Sequence, residues 1–155
     1  LHNGPASVRY PRGTGPNSNV DKDLKPLKIG EANIINEGSS EIVILNFGTL
    51  LNEANQISKE LKATLVDMRF VKPLDEKLLR KLFKKAKVFI SIEDGSIMGG
   101  AGSAVQEFAS KENLNVRSIL FGIPDKFIEH ASREEMLVEA GLDVENIKSK
   151  LSKLL

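Results

Sequence analysis

Apolar runs with strand-like composition alternate with helical patterns along most of this chain, and this alternation limits the possible folds more than any other feature. The strand-like runs are EIVILNF, TLVDM, KVFISI and NVRSILF, and patterns such as NEANQISKEL and DEKLLRKLFKKA lie between them. Strands that alternate with helices favour parallel pairing, because each parallel connection needs a crossover segment. The sequence therefore predicts a three-layer α/β fold with a mostly parallel sheet of about five strands and helices on both faces.

One antiparallel edge strand is also predicted. The β-prone runs KIGEANIINEG and EIVILNF meet at the turn-forming residues EGSS. Two such runs joined by a short polar turn are typical of a β-hairpin, so the first run is expected to pair with the second.

Helix boundaries are signalled by capping residues. Leucine, phenylalanine and alanine side chains share one face of DEKLLRKLFKKA, Pro73 precedes this helix, Asp75 lies in its first turn, and lysines lie in its last turn. Ser132 and Glu135 have the spacing of a capping box, Gly141 suits a helix stop, and Asp143 can cap a final helix.

Composition excludes several classes of function. Apolar residues make up 41% and charged residues 28% of the 155 positions, which predicts one folded domain. A net charge of +1 gives no broad field for nucleic acid or an anionic membrane. The chain has no cysteine and no apolar run near the ~18 residues of a membrane span. We expect a soluble intracellular protein with neither nucleic acid nor membrane as partner.

The glycine-rich run EDGSIMGGAGSAVQEF follows a predicted strand and leads into a predicted helix, a place where many α/β proteins bind phosphate. A P-loop would need lysine and a hydroxyl residue where this chain has Ala101 and Gly102. Gly100 and Gly102 fit the dinucleotide fingerprint, but Val105 replaces its third small residue. We interpret the run as a tight packing turn, with nucleotide binding as the less favoured alternative.

Other polar residues give weaker signals. His2 and His130 lack metal-ligand spacing, so no metal site is predicted, and His130 is interpreted as a surface or interface residue. Glu93 and Asp94 end a central strand, where ligands often bind, but neighbours on a strand point to opposite faces and do not form a ready catalytic pair.

The segment RYPRG contains the strongest polar candidate. Beside a Pro-Gly turn, the guanidinium of Arg12 can offer several N–H donors to one phosphate or carboxylate. A surface salt bridge is the alternative interpretation.

Five blocks resemble, in order, the C-terminal end of the 1-deoxy-D-xylulose-5-phosphate synthases, a family of thiamine-diphosphate enzymes in the transketolase superfamily. These blocks are RYPRG, ILNFGTLL, ATLVDMRFVKPLDEKLL, IEDGSIMGGAGSAVQEF and GIPDKFIEHASREEMLVEAGLD. The resemblance implies a transketolase C-terminal-domain fold for residues 28–155, a linker at 14–27, and the tail end of the preceding pyrimidine-binding domain at 1–13. The chain departs from the usual family pattern at residues 94–96 and at Ala131, which leaves the shape of the glycine-rich loop open.

The resemblance also implies a function. The family joins pyruvate and glyceraldehyde 3-phosphate, with loss of carbon dioxide, and its thiamine diphosphate and Mg2+ are held by two upstream domains. Neither cofactor motif occurs in this sequence, so no catalytic, cofactor-binding or metal-binding residue is predicted here. Arg12 matches the family arginine that helps to hold the substrate phosphate.

Two hypotheses follow for the chain as a whole. The first is a structural and dimerisation domain of a homodimeric, cytoplasmic bacterial or plastid enzyme, inactive when separated from the rest of its chain. The alternative is a free-standing α/β module that binds a small molecule or nucleotide near the strand ends around Glu93 and Gly99.

Overall fold

A computed structural model describes residues 3–5 and 26–155 of the chain. Ten regular elements follow one another in this part of the chain. The strands are β1 (Asn33–Asn36), β2 (Ile42–Phe47), β3 (Thr64–Asp67), β4 (Val88–Ser96) and β5 (Arg117–Ile123). The helices are α1 (Leu51–Leu61), α2 (Glu76–Phe83), α3 (Ala101–Lys111), α4 (Arg133–Ala140) and α5 (Val144–Leu154).

The strands form one five-stranded sheet in the order β1-β3-β2-β4-β5. Strand β2 runs parallel to both β3 and β4, and β5 runs parallel to β4. Strand β1 is antiparallel and lies at an edge. The predicted α/β class, with a mostly parallel sheet and one antiparallel edge strand, is confirmed.

The predicted hairpin is wrong, because β1 pairs with β3 and not with β2. Strand β2 is buried along nearly its whole length and has a parallel partner on each side, so no edge remains for β1. The EGSS segment instead crosses the end of α1. There the Gly38 N–H donates to Thr64 Oγ1 at 3.0 Å and the Ser40 N–H to the Lys62 carbonyl at 3.0 Å.

Each face of the sheet carries a hydrophobic core, because β2 and β4 are apolar on both faces. One core joins Ile44 and Ile90 to buried residues of α1, α4 and α5. The other joins Leu45 and Phe89 to buried residues of α2 and α3. The sheet thus lies between two helical layers, as the sequence predicted.

The capping predictions are confirmed, with one boundary difference. Asp143 accepts from the Glu145 and Asn146 N–H groups. Asp75, expected in the first turn of α2, is its N-cap and accepts from the Leu78 N–H at 2.9 Å. Gly141 ends α4 with φ +71°. Helix α2, which the pattern extended to residue 86, ends at Phe83.

The capping box before α4 is complete. The Ser132 hydroxyl accepts from the Glu135 N–H, and the Glu135 carboxylate accepts from the Ser132 hydroxyl and N–H. These bonds, chiefly the one from the hydroxyl, lower the pKa of Glu135.

The helices of the described ranges are short. Three of them reach eleven residues, and none combines the length and the apolar composition that crossing a bilayer requires.

Gly38 provides a test of the corrected strand pairing. A Cβ atom at this position would collide with backbone atoms of residues 62–64, so Gly38→Ala should lower the free energy of unfolding by about 1–3 kcal/mol. Urea denaturation measures this value, and Ser39→Ala, at the exposed neighbour, is the matched control. Equal stabilities of the two variants would contradict the close contact of Gly38 with residues 62–64.

Candidate functional site

The carboxyl ends of β2 and β4 are the natural place for a site in this topology. The chain leaves β2 to form β3 on one side and later returns to form β4 on the other side. Open α/β sheets bind ligands at such a reversal point, outside the carboxyl ends of the strands. Phe47 pairs with Glu93 in the sheet at this position.

Glu93 is buried, and its carboxylate caps the first turn of α3. Oε2 accepts from the Ala101 N–H at 2.8 Å, and Oε1 accepts from the Gly102 N–H at 2.9 Å. The side chain is only 4% exposed. A carboxylate at a helix N-terminus satisfies donors that the helix leaves free and is favoured by the helix dipole. The position where a bound phosphate would lie is therefore filled by the protein's own carboxylate.

Two glycines make this cap possible. A Cβ at Gly100 would collide with the Glu93 carboxylate and the Ser96 carbonyl, and a Cβ at Gly102 would collide with Ser91 Oγ. Because only glycine lets helix and strand approach this closely, the contacts support the interpretation of a packing turn.

Asp94 points to the opposite face of the sheet. One of its oxygens, Oδ2, accepts from the Thr49 hydroxyl at 2.8 Å and from the Thr49 N–H at 3.3 Å. The same hydroxyl accepts from Arg133 Nη2 at 3.2 Å. The two neighbouring carboxylates therefore stabilise different layers and do not form an acid–base pair, as strand geometry predicted.

A shallow cavity of about 160 Å³ lies at this edge, between the ends of β2, β3 and β4. Among the described residues, Arg69 is the one cationic side chain in its lining, and it adopts φ +58°, which is uncommon for a residue with a side chain. Its Nε lies 3.5 Å from Asp67 Oδ2. Arg69 was not predicted as a site residue, although its position two residues after a buried strand could have indicated it.

The other residues singled out in the sequence are His130, Arg12 and His2. His130 is exposed in the loop between β5 and α4. Arg12 and His2 lie outside the described residues. In residues 3–5 and 26–155, no cluster of three or more acidic or histidine side chains could hold a metal ion.

Comparison with known proteins identifies the family to which this architecture corresponds. Residues 30–147 match the family described as "Transketolase, C-terminal domain". A solved structure, "Split gene transketolase, inactive beta4 tetramer", superposes with a TM-score of 0.74 at 26% identity. The superposition covers 82% of this chain and 43% of that one.

Curated relatives match over almost the whole chain. The 1-deoxy-D-xylulose-5-phosphate synthase of Pseudomonas fluorescens (strain Pf-5) is 48% identical over 97% of this chain and 24% of its own length. The enzyme of the same name from Stutzerimonas stutzeri (strain A1501) is 50% identical over 98% of this chain and 24% of its own length. The chain thus spans about a quarter of these relatives and matches their C-terminal part, which confirms the resemblance.

Replacing Glu93 by glutamine tests the internal cap. Glu93→Gln removes the charge and turns one acceptor into a donor that faces a buried N–H, so the free energy of unfolding should fall by about 1–3 kcal/mol. Urea denaturation monitored by circular dichroism measures the loss. Glu107→Gln, on the exposed face of α3, is the matched control and should stay within about 0.5 kcal/mol of the unmodified chain. If the two variants are equally stable, Glu93 does not hold α3.

Proposed function

This chain belongs to the transketolase C-terminal domain family, and from this membership we propose that it is the structural and dimerisation domain at the C-terminal end of a 1-deoxy-D-xylulose-5-phosphate synthase. In this proposal the parent enzyme joins pyruvate and glyceraldehyde 3-phosphate to form 1-deoxyxylulose 5-phosphate and carbon dioxide. The chain contributes shape and contact surface, and the reacting groups lie elsewhere in the parent.

The observation that carries the proposal is the internal use of both strand-end carboxylates. Glu93 holds α3 and Asp94 holds the segment before α1, so the place where a doubly wound sheet would bind a substrate is used for packing. The correspondence with the C-terminal part of the synthases supports the same conclusion.

The described residues do not fit the cofactor of the parent enzyme. A diphosphate would need free N–H donors, but those at the start of α3 already bind Glu93, and no acidic cluster of the described part suits Mg2+. We therefore assign thiamine diphosphate and Mg2+ to the upstream domains of the parent chain. The cofactor supplies the carbanion chemistry there.

The partners follow from this assignment. The domain packs against the rest of the parent chain and takes part in a homodimer, in a bacterial cytoplasm or a plastid. The solved structure that superposes on this chain is described as a tetramer, and this supports self-association of the domain. Residues 1–13 end the pyrimidine-binding domain, residues 14–27 connect it, and residues 28–155 form the C-terminal domain.

Arg12 is the substrate-binding residue of this proposal. The guanidinium in RYPRG helps to hold the phosphate of glyceraldehyde 3-phosphate, for which its several N–H donors are suited. The second candidate function, a free-standing small-molecule module, would need free polar groups around Glu93, and those groups are already paired.

Substitution of Arg12 in the full-length enzyme tests the phosphate contact. Arg12→Ala should raise the KM for glyceraldehyde 3-phosphate and lower kcat/KM by roughly ten- to 150-fold, because a charged hydrogen-bond partner contributes ~1.5–3 kcal/mol. Initial-rate kinetics with each substrate varied in turn measures the effect. The KM for pyruvate and the kinetics of the control Arg117→Ala, at the exposed first residue of β5, should not change. An unchanged KM for the triose phosphate would remove Arg12 from the site.

The isolated chain provides a second test. The 155-residue chain, supplied with pyruvate, glyceraldehyde 3-phosphate, thiamine diphosphate and Mg2+, should form no 1-deoxyxylulose 5-phosphate, because the proposal assigns the cofactor sites to the upstream domains. Mass spectrometry of the reaction mixture detects the product, and the full-length enzyme is the positive control. Turnover by the isolated chain would contradict the structural role.

A further inference from the structure

The exposed apolar side chains of the described residues are concentrated at one edge of the sheet. Nine large apolar side chains are exposed in the described part of the chain, and five of them lie at the carboxyl ends of the parallel strands. Val71 follows β3, Met98 follows β4 and Phe127 follows β5. Leu27 and Ile29 precede β1, which is antiparallel and therefore begins at the same edge. The other four are spread over β1, α4 and the end of the chain.

These side chains are close enough together to belong to one interface. Neighbouring strands lie about 4.8 Å apart, so the ends of β3 and β5 are separated by about 15 Å. The Phe127 side chain is 99% exposed and the Met98 side chain 68%. Apolar groups that are exposed together at one place on a protein mark a contact surface more often than scattered ones do.

Arg69 adds a charged group to this edge. It lines the shallow cavity there together with Val71, and its ionic contact among the described residues, to Asp67 Oδ2, is long at 3.5 Å. A guanidinium offers five N–H donors, so most of them are available to a partner. Aromatic residues, methionine and arginine are enriched in protein interfaces. We call the following residues the carboxyl-edge surface: Leu27, Ile29, Arg69, Val71, Met98 and Phe127.

The polypeptide enters the domain at this same edge. Asn33, the first residue of β1, pairs with Asp67, the last residue of β3. Just before β1, the Gly30 backbone lies against Pro73, because a Cβ atom at Gly30 would be 2.9 Å from the Pro73 Cγ. The part of the parent chain that precedes the domain is therefore joined to it beside the carboxyl-edge surface.

We propose that the carboxyl-edge surface docks on the preceding domain of the same parent chain. This inference rests on the proposed function and names the surface through which the domain supports the rest of the enzyme. The curated relatives extend well beyond the matched part, which is about a quarter of their length and lies at their C-terminal end. The preceding domain contributes apolar side chains to Phe127, Met98 and Val71, and a carboxylate or carbonyl oxygen to Arg69.

The covalent connection favours this occupant over a second copy of the chain. Two domains in one chain meet at an effective concentration in the millimolar range, so a small apolar surface is enough for stable docking. Separate chains lose translational and rotational freedom when they associate. A standard interface between separate proteins uses roughly 20–30 residues on each side, many more than the carboxyl-edge surface has.

Photo-crosslinking in the full-length enzyme identifies the occupant. Phe127→p-benzoylphenylalanine keeps an aromatic ring and forms a covalent bond on irradiation with a group in contact with it. The product should have the mass of one chain in denaturing electrophoresis, and mass spectrometry should place the second peptide before residue 14. The same replacement at Val138, which is exposed on α4 outside the surface, should give no crosslink to that domain.

Serine variants measure the contribution of the surface to docking. Phe127→Ser and Met98→Ser should leave the melting temperature of the 155-residue chain unchanged, because both side chains are exposed there. In the full-length enzyme each variant should speed tryptic cleavage after Lys22 by at least about tenfold, because cleavage follows the population of the undocked form. Val138→Ser is the matched control and should change neither value.

Three results would overturn the proposal. They are a crosslink from Phe127 only at the mass of two chains, no crosslink from Phe127 to the preceding domain, and equal cleavage of both serine variants and the unmodified enzyme. The first of these would assign the surface to a second copy. Synthase activity of the unmodified full-length protein separates the two proposals: an active enzyme with any of these results contradicts the docking alone, and an inactive one contradicts the proposed function.

Discussion

The structure depends on one buried interaction: the Glu93 carboxylate accepts hydrogen bonds from the first N–H groups of α3. A buried charge is unfavourable unless it is paired or hydrogen-bonded, and a helix N-terminus is unfavourable when its donors are left free. Glu93 removes both costs with two hydrogen bonds, at 2.8 and 2.9 Å. The same contact positions α3 against β4 and explains why glycine is needed at Gly100 and Gly102. A glycine-rich turn that suggests phosphate binding is in this way a packing device.

The neighbouring carboxylate, Asp94, stabilises the helical layer on the other face of the sheet. Because adjacent strand residues point to opposite faces, Asp94 reaches Thr49 before α1, and Thr49 in turn binds Arg133 at the start of α4. Two consecutive residues of β4 thus hold helices on both sides of the sheet. This arrangement fits the structural role proposed for the domain.

Local patterns predicted the elements well and one strand pairing badly. Capping by Ser132 and Asp143 could be predicted because each cap lies within a few residues of the helix it serves. The hairpin prediction failed because the choice of partner for β1 depends on how the segment around Gly38 crosses the end of α1, a contact between distant parts of the chain. The sequence places Glu93 near a strand end, but the cap that its carboxylate forms on α3 depends on the path of the intervening loop.

The sequence by itself determined the class of fold, the order of strands and helices, most helix ends and the resemblance to the transketolase superfamily. These features depend on periodicity, capping residues and local blocks, which act over short stretches of chain. Only the tertiary structure decided which strand β1 joins, that Glu93 fills the anion position of α3, and that Asp94 and Arg133 meet around Thr49. The physical reason is that these contacts join residues far apart in the chain, and their geometry exists only once the sheet and its two helical layers are packed.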